Sequence, residues 1–121
     1  MNTNDTFLAV FLGDKNSPKM AAWNALTEAE RNAKMQDGMA AWKAWAEKHK
    51  AAIVGMGGPL GKTKKISDLG IEDISNMLSA YTIVRAQSHE AAARMFEKHP
   101  HFTNFPGDCV EVMPVLPIPG A

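Results

Sequence analysis

The chain has 121 residues, thirteen Lys plus Arg against thirteen Asp plus Glu, and one cysteine, Cys109. That length fits a single domain over residues 1–121 with a sizeable core, and the balanced charge supplies no basic field for nucleic acid. A lone cysteine excludes an internal disulfide and suits a reducing compartment.

The first apolar run, FLAVFL at 7–12, ends at Gly13-Asp14 and reads as a buried strand. It is too short to span a membrane and no basic region precedes it, so the expectation is a cytoplasmic protein without a leader or membrane helix. Ser17 is placed to cap a short helix with Pro18 at its first position. A longer helix follows from Thr27-Glu28-Ala29-Glu30, a capping-box pattern, and is expected to run to about Lys50. At 100° per residue its stripe is Met35, Met39, Trp42, Ala46 and His49, with Gly38 and Trp45 at the edge. Such a stripe reads as core, its upper end reaching a pocket.

AAIVGMGG at 51–58 reads as a strand running into a glycine turn, and 60–75 as an excursion carrying a small hairpin. The β-formers Tyr81, Thr82, Ile83 and Val84 place a strand at 77–86. Ser88 is expected to cap a helix over HEAAARMFEKH that ends before Pro100, followed by a loop at TNFPGD. CVEVMPVL at 109–116 is the last strand, with Pro117 and Pro119 in an extended arm beyond it.

Strand, helix, strand, strand, helix, strand is the ferredoxin-like βαββαβ order, an α+β fold with a four-stranded antiparallel sheet and helices on one face. Both alternate faces of 7–12 and 77–86 are substantially apolar, yet helices can cover only one. The other face calls for a second copy, a homodimer packed sheet to sheet.

Gly61-Lys62-Thr63 resembles the end of a phosphate-cradling loop. That loop needs a glycine five residues before Gly61, and the position holds Met56, with Gly55 and Gly57 on either side of it. No helical period follows Thr63, so the stretch reads instead as a strand end and tight turn, with Lys62 either a solvated side chain or an anion contact.

The densest reactive cluster is His99-Pro100-His101. Near a helix end an imidazole titrating around neutrality serves as an acid/base group or as a cap, and both readings stand. Two histidines without a third ligand at a diagnostic spacing do not make a zinc set, so no metal or cofactor is expected. His49 reads as a C-terminal cap, His89 as solvent-facing, and Cys109 as a small buried hydrophobe.

FLAVFLGD, IVGMGGPLGKTKK, YTIVRAQSHEAAARMFEKHPHFTNFPGD and VEVMPVLPIPG together resemble the YCII-related family over nearly the whole chain. The resemblance implies a dimeric α+β barrel and a cleft between helix and sheet, lined by the Gly58-Pro59-Leu60 turn. It also places His99 where the family's Asp-Pro motif carries its carboxylate, while the first-helix histidine of many members has no counterpart in KMQDGMAAW. One functional reading is a small-molecule acid/base enzyme of lyase, isomerase or dehydrohalogenase type. His99 or His101 would be catalytic, Gly58, Pro59, Leu60 and Trp42 would line the cleft, and Lys62 or Arg85 would take an anionic group. The alternative is a non-catalytic ligand-binding or structural dimer on the same scaffold.

Overall fold

The computed structural model describes residues 5–120. Its elements are β1 (Asp5–Leu12), α1 (Pro18–Ala25), α2 (Glu28–Lys48), β2 (Ile53–Pro59), β3 (Thr63–Ser67), β4 (Gly70–Ile74), β5 (Leu78–Ala86), α3 (His89–Arg94), α4 (Pro100–Thr103) and β6 (Cys109–Pro114). Four strands form one antiparallel sheet in the order β2-β5-β1-β6, the ferredoxin-like arrangement. The excursion is a separate two-stranded hairpin of β3 and β4. Since Thr63 opens a strand rather than a helix, no helix dipole stands behind Gly61-Lys62-Thr63, and the phosphate-loop reading fails on structure as it did on spacing.

The helix starts follow the sequence signals. Ser17 Oγ accepts the Met20 N–H at 3.1 Å, with Pro18 at the first helical position. At α2, Thr27 Oγ1 accepts the Glu30 N–H at 3.1 Å while the Thr27 N–H donates to Glu30 Oε1 at 2.8 Å, the complete capping box. The helix ends at Lys48 with His49 as its C-cap.

Register explains where the core lies. Phe7 pairs with Val84 and Ala9 with Thr82, so these four and Phe11 share one face and are almost wholly buried. Trp45 of α2, Ala92 of α3 and Phe96 pack over them. Trp45 Nε1–H donates to Met95 O at 2.7 Å, which joins α2 to the segment after α3.

Several local expectations change. The Met stripe is displaced around α2: Trp45 and Gly38 are buried, whereas Met35 and Met39 are exposed. Gly57-Gly58 lie inside β2 rather than in a turn after it, where the pairing with β5 slips twice. Gly57 has φ +67°, and a side chain there would run into the Tyr81 carbonyl, so only glycine lets the two strands approach this closely. The helix expected over 89–99 stops at Arg94, and Lys98 adopts φ 56°. The chain therefore turns and starts afresh at Pro100, making His99 a helix N-cap instead of a helix end.

Candidate functional site

Between α2 and the β2–β5 edge lies a cleft of about 430 Å³, within the usual range for small-molecule sites. Met39, Trp42, Lys43 and Ala46 form the helix wall. Met56, Gly57, Gly58 and Pro59 of β2, with Ala80, Tyr81 and Thr82 of β5, form the other. Helical spacing produces the first wall, because positions 39, 42, 43 and 46 recur every three or four residues. The second wall depends on the Gly57 bulge and on the lack of a side chain at Gly58.

The cleft is chiefly apolar. Thr82 spends its hydroxyl on Met56 O at 2.9 Å, and among the described residues Lys43 is the one charged residue lining it. Such a site suits a flat, largely apolar molecule with an oxygen near Lys43. A second depression of about 520 Å³ separates the hairpin from the start of β5 and holds Lys62, Thr63, Lys64 and Asp73. Its Lys64 and Asp73 already pair at 2.7 Å, both exposed.

The residues singled out in the sequence are thus divided. Gly58, Pro59 and Trp42 line the apolar cleft. Lys62 lines the other depression, and Leu60 is 42% exposed with its N–H donated to Ser79 O. Arg85 pairs with Thr6 in β1, out of phase with Val84, and so stands on the sheet face away from the helices. Lys43, Met56 and Thr82 were missed; Lys43 could have been found from its position four residues after Met39, one helical turn along the same face.

Neither histidine of the HPH cluster lines the cleft. His101 is a structural latch: its Nε2 lies 2.8 Å from Leu12 O, and its carbonyl accepts the Gly107 N–H at 3.0 Å. Gly107 abuts the ring where any side chain would collide with it. Around this latch, Lys19 Nζ donates to Phe102 O and Gly107 O, and the Asp14 N–H donates to Asp108 Oδ2 at 2.6 Å. Burial lowers the His101 pKa, partly opposed by the Leu12 carbonyl.

His99 is fully buried, surrounded by Phe11, Trp42, Trp45 and Phe96 at ring-centroid distances of 5.0, 4.6, 4.7 and 5.9 Å. Its Nδ1 accepts the His101 N–H at 3.0 Å, which serves as the α4 cap. Burial first, then the neighbouring His101 and His49, lower its pKa to about 4, so the ring is neutral at pH 7. With Nδ1 acting as acceptor, the proton resides on Nε2, which has no hydrogen-bond partner among the described residues.

The remaining reactive groups lie elsewhere. Cys109 is half-buried opposite Leu12, and burial raises its thiol pKa, so it is a weak nucleophile. His89, although exposed, stacks on Phe7 and places Nε2 2.7 Å from Val112 O. Among the described residues no helix is long and apolar enough to cross a membrane.

Neither a protein-family model nor a curated protein sequence matches the chain. A solved structure does: 5-chloro-2-hydroxyhydroquinone dehydrochlorinase (TftG) from Burkholderia phenoliruptrix, in complex with 2,5-dihydroxybenzoquinone, at a TM-score of 0.51 and 22% identity. The match covers 89% of this chain and 90% of that one, so the likeness spans most of both chains and is one of fold. The chain has the α+β fold of that enzyme, a four-stranded antiparallel sheet with its helices packed on one face.

Proposed function

We propose that the chain is a YCII-related, homodimeric protein that binds a small planar molecule in the cleft between α2 and the β2–β5 edge. The carrying observation is the cleft itself: an apolar volume of about 430 Å³, with Trp42 and Lys43 on one wall and side-chain-free backbone at Gly57-Gly58 on the other. Aromatic and peptide surfaces of this kind stack well on a flat ring, and Lys43 supplies the charge for an enolate, phenolate or carboxylate oxygen.

Binding is favoured over acid/base catalysis by the histidines. An imidazole that must move a proton has to reach the substrate directly or through one water. His101 is committed to the Leu12 carbonyl, and His99 lies behind Trp42. The dimer rests on the uncovered sheet face, where Tyr81, Leu78 and Met113 are 36%, 42% and 39% exposed. Leu8, Val10, Leu12 and Ile83 lie half-buried on that face. Arg85 belongs to that interface in this reading, and the cytoplasm is the compartment that suits the single cysteine.

The test uses 2,5-dihydroxybenzoquinone, the compound bound in the neighbouring structure, as a planar probe. It is expected to raise the melting temperature saturably, by the equivalent of about 2.7 kcal/mol at a hundredfold excess over Kd. Gly58→Leu, at a position with open space beside its backbone, should fold normally and lose the shift. An equal shift in wild type and variant would place binding elsewhere and sink the cleft reading.

A further inference from the structure

An unpartnered buried donor costs about 1–3 kcal/mol, and a phenylalanine at position 99 would avoid that penalty. The His99 Nε2–H is such a donor. Of the four rings around it, Phe11, Trp45 and Phe96 belong to the buried core, and only Trp42 also lines the cleft. The indole of Trp42 stands edge to face with the imidazole at an interplanar angle of 89° and 4.6 Å between centroids. Aromatic neighbours recover only part of a hydrogen bond for such a donor. Trp42 is thus the one half-buried side chain that both touches the His99 ring and lines the apolar cleft.

We propose that Trp42 is a movable partition, and that a planar ligand carrying a carbonyl or phenolate oxygen displaces its indole and takes the His99 Nε2–H as a hydrogen bond. This rests on the cleft being the binding site. His99 is then a donor that polarises or holds the ligand oxygen without giving up its proton. Burial suits it to this role, since a ring kept neutral retains the same Nε2–H across the physiological range. Nδ1 stays locked on the His101 N–H, which fixes the tautomer. The ligand class follows: flat ring compounds with a carbonyl or phenolate oxygen, the oxygen directed inward past Trp42 and the ring lying against Gly57-Gly58.

The experiment is a titration of histidine- and glycine-labelled protein with 4-nitrophenol, followed by proton–nitrogen NMR. The Gly57 and Gly58 amides report cleft occupancy, and the His99 Nε2–H reports the proposed bond. Both sets shifting together, with the imidazole proton moving downfield, is the expected result. If the glycine amides shift and the imidazole proton does not, the partition is refuted and the cleft reading survives. If neither shifts, the cleft reading fails and this proposal falls with it. His99→Asn keeps a capping acceptor for the His101 N–H but lacks the Nε2 donor, and should weaken 4-nitrophenol binding about tenfold with cooperative unfolding preserved. Unchanged affinity in that variant would overturn the donor role. Trp42→Ala should turn a slowly exchanging Nε2–H into one lost to solvent at once, and continued protection there would show that Trp42 is not the partition.

Discussion

Phe7, Ala9 and Phe11 on one face of β1 are no more than 2% exposed, whereas Leu8, Val10 and Leu12, one residue out of phase, remain half-buried. The two sets are chemically alike, so the difference comes from what lies over them. Trp45, Ala92 and Phe96 close the first face, and among the described residues nothing comparable closes the second. Burial in this sheet is thus set by the layer above each strand rather than by strand composition.

The comparison is tested most severely at Phe11. Phe11→Ala should cost about 3–5 kcal/mol in denaturant unfolding, because the ring is fully buried against Trp42, Phe96 and both histidines. Acid should probe the same face through His99. Its folded pKa, near 4, lies below the ordinary value of 6.5, so the unfolded chain takes up the proton first. The associated stability is complete above about pH 6.5 and is lost as pH falls toward 4, amounting to roughly 3 kcal/mol. His101 and His49, also lowered by burial, act in the same direction. His99→Phe should flatten the pH dependence of the denaturation midpoint between those limits; an unchanged slope would show that His99 is not the group responsible.

The smallest effect is expected at Val10→Ala. On a solvent-facing surface it costs about 1 kcal/mol or less, independent of protein concentration. Covered by a second copy, it should cost roughly 2–3 kcal/mol and give a midpoint that rises with concentration. Urea melts at two protein concentrations decide between these, and concentration-independent midpoints in wild type would remove the dimer.

Much of this was legible in the sequence where the signal is local. The Thr27–Glu30 box, Pro18 at a helix start and the alternation of β1 and β5 depend on neighbours within four residues, and each formed as read. The glycine spacing that excluded a phosphate loop is likewise local. Arg85 shows the limit. Its parity with Tyr81 and Ile83 is visible in the sequence, but which parity faces the helices is a tertiary fact. His99 shows another: the run from Ala91 to His99 has good helix formers, yet burial of Phe96 and the Pro100 restart end the helix at Arg94. Met35 and Met39 were expected in the core because spacing gives the angle between side chains, whereas the rotation of the whole helix is set by Trp45 docking on Phe96.

The Gly57 bulge also bears on how copies of this chain avoid one another. β2 is an edge strand, and a straight edge offers a regular row of amides and carbonyls to any passing strand. Two slips of register and a terminal proline at Pro59 interrupt that row, and Pro114 ends the opposite edge on β6. The irregularity that shapes one wall of the cleft therefore also makes the edges of the sheet a poor template for growth.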